Sequence, residues 1–187
     1  PYNFVVDGVS ANAQNNMDIF PNENFKASLL EIPDEDALYT VNDVPHGKVQ
    51  YMTYKSDVMG EYRPVLVYTP ADYEKGNKKY PVFYLVSGTT DTEETWFKVG
   101  KVNVILDNLI AQGKAVPMIV VMPNGYLEQT GKHYPAETRL WMESTFEENF
   151  SQLIAWTEAH FRTLTDKQHR AIAGLSMGGF HTMHTAA

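Results

Sequence analysis

Residues 174–178 read Gly-Leu-Ser-Met-Gly and match the pattern G-x-S-x-G. This pattern is typical of a serine nucleophile at a sharp turn between a buried strand and a helix. The turn is strained and lifts the serine hydroxyl above the sheet, and the flanking glycines leave room for it. Residues 171–173 supply a short apolar strand, and no proline interrupts residues 177–187. The sequence therefore predicts nucleophilic chemistry at Ser176; the alternative is a glycine-rich turn in which the serine only caps a helix.

A serine hydroxyl is a poor nucleophile until a histidine accepts its proton, and that histidine needs an acid to orient it. When this pattern forms the turn from a strand of an α/β sheet into a helix, the acid and the histidine follow the serine in the chain. Residues 177–187 contain no Asp or Glu, although they contain His181 and His184. Both histidines lie on the helix that leaves the turn, so we expect them to pack there and not to act as the base. The acid and histidine are expected beyond residue 187, and the 187 residues alone are expected to be inactive and poorly stable.

Two further groups of residues have types that could carry chemistry. His181 and His184 have the spacing of two metal ligands on one helix face, but no nearby carboxylate completes a set. Asp91, Glu93 and Glu94 could form the paired carboxylates of a glycosidase, yet three acids in one loop usually form a solvated turn. The sequence therefore predicts no metal and no cofactor.

Aromatic residues could line a binding pocket near the motif: Trp96, Tyr126, Tyr134 and Trp141. Such side chains suit a phenolic or sugar group, because each combines a large apolar face with a polar tip. Trp96 is instead expected to pack under the loop that carries it. Residues 125–140 are rich in tyrosine and charge, which favours a loop at the rim of a site.

The composition is that of a folded domain with an acidic surface. The chain has 187 residues, 43% of them hydrophobic and 12% aromatic, which is enough for one buried core. A formal charge of −8 disfavours nucleic acid and anionic membrane surfaces as partners and favours a neutral or weakly charged substrate. No run approaches the roughly 20 apolar residues that a membrane-spanning helix needs. The absence of cysteine excludes disulfides and a cysteine nucleophile.

The hydrophobic pattern predicts alternating strands and helices from residue 47 onward. Residues 49–54 alternate as a half-buried strand does, and 63–68 follow after a turn at Met59-Gly60, which predicts a hairpin. Apolar runs predict two strands buried on both faces of a parallel sheet, at 81–86 and 117–122, and a final strand at 170–175. Helical spacing and a capping box at Ser144 and Glu147 predict further elements, at 102–110, 144–162 and 177–187. This order predicts an α/β fold in which helices cover both faces of the sheet.

The first 44 residues differ from the rest. They contain five asparagines between Asn12 and Asn24, several acidic residues and only a brief candidate strand at 4–6. This composition predicts a linker together with the tail of another unit.

From residue 45 the chain resembles carbohydrate esterase family 1, a branch of the α/β-hydrolases that includes feruloyl and acetylxylan esterases. Enterobactin esterases are more distant relatives of that family. The landmarks that carry the resemblance are Pro45-His46-Gly47, RPVLVYTPADY at 63–73, YPVFYLVSG at 80–88, Trp96, NVILDNLIAQG at 103–113, PMIVVMPN at 117–124 and HRAIAGLSMGG at 169–179. In addition, YNFVVDG at 2–8 resembles the closing strands of an immunoglobulin-like module that often precedes such esterases in gut bacteria.

The resemblance implies an α/β-hydrolase fold, a three-layer α/β/α sandwich that is incomplete at the C-terminus. Residues 1–44 would be the tail of the immunoglobulin-like module plus a linker, and residues 45–187 the N-terminal part of the esterase domain. Ser176 would be the nucleophile, and the backbone N–H groups of Thr89 and Met177 would bind the oxyanion. The family commonly carries His-Gly where this chain has Ser87-Gly88.

The implied function is a secreted or periplasmic bacterial serine esterase. It would hydrolyse feruloyl or acetyl esters on plant cell-wall xylan through an acyl-serine intermediate. One alternative is an esterase for another small ester or thioester, similar to the enterobactin esterases. A second alternative, of a different class, is a non-catalytic glycan-binding fragment. Partners would be a polysaccharide-linked or small-molecule ester, and neither nucleic acid nor a membrane span is expected.

Overall fold

The computed structural model describes residues 1–22, 25–34, 37–125 and 139–186, with side chains from residue 146 onward in the last range. Its strands are β1 Phe4–Val6, β2 Val9–Ala11, β3 Lys48–Ser56, β4 Glu61–Thr69, β5 Val82–Val86, β6 Ile119–Pro123 and β7 Arg170–Gly174. Its α-helices are α1 Thr95–Lys98, α2 Val102–Ala111, α3 Arg139–His160 and α4 Met177–Ala186. Short 3-10 helices span Tyr73–Lys75 and Lys167–His169.

Five of these strands form one mixed sheet in the order β3-β4-β6-β5-β7. The predicted hairpin is confirmed, because β3 and β4 pair antiparallel from Lys48↔Thr69 to Ser56↔Glu61. The two predicted buried strands, β5 and β6, are also confirmed, and the predicted final strand is β7. Strand β5 lies between β6 and β7 and is parallel to both. In this part of the chain β7 is an outer strand of the sheet.

Helices pack on both faces of the sheet, as the order of elements predicts. Successive residues of a strand point to opposite faces, so Val65 and Val67 pack in the cluster that contains α3. Leu66 and Tyr68 pack on the other face, in the cluster that contains α2. The predicted apolar stripe of α3 is buried, with Phe146, Phe150, Leu153 and Phe161 between 1% and 9% exposed. The fold is therefore the predicted three-layer α/β/α arrangement.

The predicted start of α3 is wrong. The helix begins at Arg139, so Ser144 lies inside it and does not cap it. Residues 139–143 contain no glycine or proline and include leucine, methionine and glutamate, which favour helix, so the helix continues past the capping pattern. The four-residue helix α1 was not predicted, because it is too short to show helical periodicity. Trp96 belongs to α1. Its predicted packing is confirmed, since its side chain is partly buried against the α2 face of the sheet.

The described residues among the first 44 pack against one another and against helix α2. Strands β1 and β2 form a separate antiparallel pair, and the buried Ser28 bonds Tyr2 through both backbone groups. The side chain of Asn108, on α2, donates to the carbonyl oxygens of Leu38 and Thr40 at 2.8 and 2.9 Å. The boundary near residue 44 and the immunoglobulin-like origin of this segment stay predictions.

Two glycines let helix α4 approach the ends of the sheet. A Cβ atom on Gly178 would overlap the carbonyl oxygen of Val86 and would lie 2.7 Å from that of Ser87. A Cβ atom on Gly174 would lie 2.8 Å from Cα of Gly178 and would overlap its carbonyl group. Both positions require glycine for close backbone approach, which is the role that the G-x-S-x-G pattern predicts.

His181 joins α4 to α3. It is 5% exposed, and its ring stacks on that of Phe146 with centroids 3.9 Å apart and planes 13° apart. Burial and the neighbouring His184 lower the pKa of His181 to about 4. His181 is therefore a neutral packing residue at pH 7, as its place on the helix predicts. None of the helices in the described ranges is long and apolar enough to cross a bilayer.

The close approach of Gly178 predicts a large cost for any side chain there. We expect Gly178→Ala to lower the free energy of unfolding by about 3 kcal/mol or more, because α4 must move off the sheet. Gly76→Ala is the matched control: its φ is 177° and no atom lies within 4 Å of an added Cβ. The control should change stability by less than about 0.5 kcal/mol in urea unfolding of the full-length protein. Equal losses in both variants would contradict the packing argument.

The lowered pKa of His181 predicts acid destabilisation. An unfolded histidine titrates near pH 6.5, so between about pH 6.5 and 4 the unfolded state binds a proton that the folded state does not. The contribution of His181 to the free energy of unfolding is fully present above pH 6.5. It falls by on the order of 3 kcal/mol as the pH drops to about 4. Urea unfolding at pH 7.5 and 4.5 measures the slope. His181→Leu should have a shallower slope than the wild type, and identical slopes would contradict the assignment.

Candidate active site

Ser176 lies where two parallel strands end together. Strands β5 and β7 pair in register from Val82↔Arg170 to Val86↔Gly174. Residues 87–89 and 175–177 therefore leave the sheet at the same edge, at the carboxyl ends of the strands. In α/β sheets this edge is the usual place for a ligand site.

The backbone at Ser176 has the strained conformation of a nucleophile elbow. Its φ angle is 54°, in the left-handed region that residues with a side chain rarely adopt. The turn is closed by hydrogen bonds that Leu175 N–H donates to the Val86 carbonyl at 3.3 Å and Gly178 N–H to the Leu175 carbonyl at 2.8 Å. The side chain of Ser176 is exposed. The structure thus has the strand, turn and helix that the motif predicts, with the hydroxyl accessible to a substrate.

The loop after β5 passes directly beside Ser176. An ideal Cβ atom on Gly88 would lie 3.5 Å from Cβ of Ser176 and 3.5 Å from the Leu175 carbonyl oxygen. We call residues 88–91 the oxyanion turn. Asp91 N–H donates to the Gly88 carbonyl at 3.2 Å to close it, and Thr90 has a φ of 64°. Thr89 is exposed and follows Gly88, the residue of this turn that lies beside Ser176.

Two backbone N–H groups are the predicted oxyanion donors. Met177 is the first residue of α4, so its N–H has no partner within the helix and lies at the positive end of the helix dipole. Thr89 N–H belongs to the oxyanion turn on the other side of Ser176. The roles of Ser176, Thr89 and Met177 in catalysis stay predictions, although the structure brings the three residues together.

The histidines in the described ranges are engaged elsewhere and none hydrogen-bonds to Ser176. His181 is buried on Phe146, and the exposed His184 lies against Phe180 with ring centroids 4.3 Å apart. His160 bonds the Trp156 carbonyl at 2.8 Å, and His169 pairs with Asp166 at 2.7 Å. His133 lies outside the described residues. The four described histidines named here thus supply no base for Ser176 in the described structure.

A buried aspartate that sequence reasoning missed accepts three hydrogen bonds. Asp107, 4% exposed, accepts from Tyr68 at 2.7 Å and from Gly47 N–H at 2.9 Å, and lies 3.0 Å from His46 Nδ1. Tyr68 pairs with Val120 near the start of β6, so this cluster lies at the opposite edge of the sheet from Ser176. The His46–Asp107 pair therefore anchors the chain before β3 and is not a catalytic pair for the elbow. No local signal in the sequence marks Asp107, because it lies away from the apolar stripe of α2 at positions 102, 105, 106, 109 and 110.

The acidic residues after the oxyanion turn have structural partners. Asp91 accepts a hydrogen bond from Asn22 at 3.0 Å, and Glu94 pairs with Lys98 at 2.9 Å. Glu94 also contributes, after burial, to raising the pKa of the Tyr51 hydroxyl to about 12. Among the residues whose positions are described, no group of three or more metal-ligating side chains occurs.

The floor of the site is tightly packed. Ser87, where the family commonly carries histidine, is 1% exposed, and its hydroxyl has no hydrogen-bond partner in the described part of the chain. A Cβ atom on Gly125, which follows β6, would lie 2.7 Å from Val86 Cγ1 and 3.2 Å from the Ser87 carbonyl oxygen. The predicted pocket aromatics Tyr126 and Tyr134 and the side chain of Trp141 lie outside the described residues.

Comparisons with known proteins place this geometry in a family. The esterase family model described as "Putative esterase" matches residues 56–187. An endo-1,4-beta-xylanase/feruloyl esterase of Xylanibacter ruminicola is 34% identical over 187 residues, covering 97% of this chain and 25% of that protein. An esterase of Mycobacterium tuberculosis is 34% identical over 147 residues, covering 75% of this chain and 29% of that protein.

Two solved structures have the same fold over most of this chain. A ferulic acid esterase of carbohydrate esterase family 1 from Anaeromyces mucronatus matches with a TM-score of 0.68 and 26% identity, covering 84% of this chain and 61% of that chain. A serine-to-alanine mutant of the feruloyl esterase module from Clostridium thermocellum, complexed with sinapinate, matches with a TM-score of 0.61 and 27% identity. Here 83% of this chain and 54% of the other are covered.

The chain spans less than a third of these curated relatives and less than two thirds of these solved chains. The family match nevertheless covers most of the 187 residues, and it includes the whole of the elbow and the oxyanion turn. The chain therefore belongs to the esterase family, with an α/β-hydrolase fold, and is similar to the feruloyl esterases of carbohydrate esterase family 1.

Proposed function

We propose that this chain carries the nucleophile and the oxyanion donors of a serine carboxylic ester hydrolase. The observation that carries the proposal is the backbone of Ser176, which is held at a φ of 54° beside the oxyanion turn with its side chain exposed. A left-handed serine between close-packed glycines is strained, and strain of this kind persists where the surrounding structure fixes it. A serine that only caps a helix does not need this conformation, because N-cap residues adopt extended backbone angles.

In the proposed reaction Ser176 Oγ attacks the carbonyl carbon of the ester and gives up its proton to a base. The carbonyl oxygen becomes an oxyanion, which accepts hydrogen bonds from the N–H groups of Met177 and Thr89. Each such donor contributes on the order of 3 kcal/mol to the stability of the transition state. The bond between the carbonyl carbon and the alcohol oxygen then breaks, and the alcohol leaves with the proton.

The second half of the reaction regenerates the serine. Water attacks the acyl-serine, the same two N–H groups bind the second oxyanion, and the carboxylic acid leaves. The base in both halves is a histidine oriented by an acid, and in this fold both follow the nucleophile in chain order. The histidines described above do not meet this need.

Feruloyl or acetyl esters on plant cell-wall xylan are the proposed substrates. The names of three relatives, a xylanase/feruloyl esterase, a ferulic acid esterase and a feruloyl esterase module, support this class. An acidic chain also suits a neutral ester better than a polyanion. Secretion or periplasmic location follows from the same proposal, because a polymeric xylan does not enter a bacterial cell.

Esterases for other small esters or thioesters share the fold but support the proposal less. An S-formylglutathione hydrolase and a ferric enterobactin esterase match this chain at 20% and 17% identity, which is a likeness of fold. No specific contact in the described residues favours a non-catalytic glycan-binding role.

The proposed nucleophile predicts loss of activity in Ser176→Ala. In the full-length protein, hydrolysis of p-nitrophenyl acetate should fall at least about a thousandfold, because the acyl-serine cannot form. Ser151→Ala is the matched control: this serine is exposed on α3 and bonds only the carbonyl of Glu147 in its own helix, at 3.2 Å. Equal rates for the wild type and Ser176→Ala would refute the proposed function.

The substrate proposal predicts release of ferulate or acetate from the polymer. Feruloylated arabinoxylan and acetylated xylan, each incubated with the wild type and with Ser176→Ala, separate the two acyl groups. We expect release from at least one polymer by the wild type alone, measured by chromatography of the free acid. Hydrolysis of p-nitrophenyl acetate without release from either polymer would leave the nucleophile in place and exclude the xylan substrate.

A further inference from the structure

We infer that residues 20–22, which we call the strap, position the oxyanion turn for catalysis through a hydrogen bond from Asn22 to Asp91. This inference deepens the proposed function and rests on it. The strap belongs to the first 44 residues, outside the range 56–187 that the family model matches. Its contacts with the site come from its position in space, across 69 residues of sequence.

The contact between the strap and the turn uses both backbone and side chain. Asn22 and Asp91 form an isolated antiparallel β-bridge, and Asn22 Nδ2 donates to Asp91 Oδ1 at 3.0 Å. Asn22 is only 3% exposed although it lies in a segment without regular structure. A buried amide that forms a specific hydrogen bond costs desolvation when the bond is removed, so its partner is held in one place.

Asp91 is the residue that closes the oxyanion turn. Its N–H donates to the Gly88 carbonyl, and its Oδ2 atom would lie 3.3 Å from a Cβ atom on Gly88. Thr89 lies between Gly88 and Asp91 in the chain. A displacement of Asp91 therefore displaces the Thr89 N–H. Asn22 thus acts on the proposed oxyanion donor through Asp91, as a positioning residue.

A second contact fixes the strap to the start of helix α1. The carbonyl oxygen of Pro21 accepts from the Thr95 hydroxyl at 3.2 Å, and Thr95 is 8% exposed. The same hydroxyl accepts from Thr92 N–H at 3.2 Å, just after the oxyanion turn. The strap therefore bonds to the loop at Asp91 and at Thr95, on both sides of Thr92.

The charge of Asp91 gives the hydrogen bond a further role. A carboxylate near a developing oxyanion raises the energy of the transition state by charge repulsion, and this repulsion grows as the two groups approach. The Asn22 amide holds one carboxylate oxygen on the side of the strap. Loss of the amide would release the turn and also free the carboxylate to move toward the site.

The test changes the polarity of this one hydrogen bond in the full-length protein. Asn22→Asp places two carboxylates at hydrogen-bond distance, so the turn should be displaced. We expect kcat for p-nitrophenyl acetate to fall about 10- to 100-fold with KM within about twofold, because oxyanion contacts form in the transition state. The serine side chain is too short to reach Asp91, so Asn22→Ser should also lower kcat. This variant carries the test if Asn22→Asp does not fold.

Rescue separates positioning from general destabilisation. The double variant Asn22→Asp with Asp91→Asn restores one amide–carboxylate hydrogen bond with donor and acceptor exchanged. Its kcat should return to within about threefold of the wild type, as expected for coupled partners. Asn16→Asp is the matched control, because Asn16 donates to the Leu29 carbonyl at 2.7 Å in the same segment and has no contact with the oxyanion turn among the described residues. This control should keep kcat within about twofold of the wild type.

The outcomes distinguish the two proposals. If wild-type hydrolysis does not depend on Ser176, the proposed function fails, and the role of the strap in catalysis fails with it. If hydrolysis depends on Ser176 but Asn22→Asp and Asn22→Ser retain wild-type kcat, only the proposed role of the strap is overturned. Equal losses of kcat in Asn22→Asp and Asn16→Asp, without rescue by the double variant, would also overturn it.

Discussion

The site depends on the close approach of helix α4 to the carboxyl ends of β5 and β7. Only a hydrogen atom fits between Cα of Gly178 and the carbonyl oxygens of Val86 and Ser87. Because the helix begins so close to the sheet, the chain must turn within Leu175 and Ser176, and a left-handed residue results. The exposed hydroxyl, the free N–H at the start of the helix and the adjacent oxyanion turn all follow from this contact. The serine hydroxyl is thus accessible to solvent because of the backbone packing around it.

The sequence predicts the elements of the fold well where burial alone dictates the pattern. Strands β5 and β6 are buried on both faces, so their sequences are nearly continuous hydrophobic runs, and β3 alternates as a half-buried strand does. The start of α3 is predicted wrongly, because a capping pattern at Ser144 competes with helix formers that precede it. The conformation of Ser176 was predictable, since the spacing of its glycines reflects a steric requirement of the turn.

Contacts between distant parts of the chain could not be predicted in this way. Asp107 has no local signal that distinguishes it from an exposed helix residue, yet it is the acceptor for Tyr68, Gly47 and His46. Asn22 likewise lies in an asparagine-rich stretch whose composition resembles a linker. Both side chains are defined by residues from other segments, and their partners appear only when the sheet is assembled. Sequence reasoning therefore predicted the strand, turn and helix around Ser176 and missed the residues that fix their surroundings.

The contact between the strap and the oxyanion turn bears on how such enzymes are divided into modules. A recombinant fragment trimmed to the family match at residue 56 would contain the whole G-x-S-x-G pattern but would lack Asn22 and nearly all of strand β3. In fusion proteins, exchanging the upstream segment for a flexible tether would likewise keep every residue of the motif. On the inference that the strap positions the turn, replacing the segment before residue 45 would lower the rate of the proposed esterase without changing its reaction, so the two segments are better inherited together.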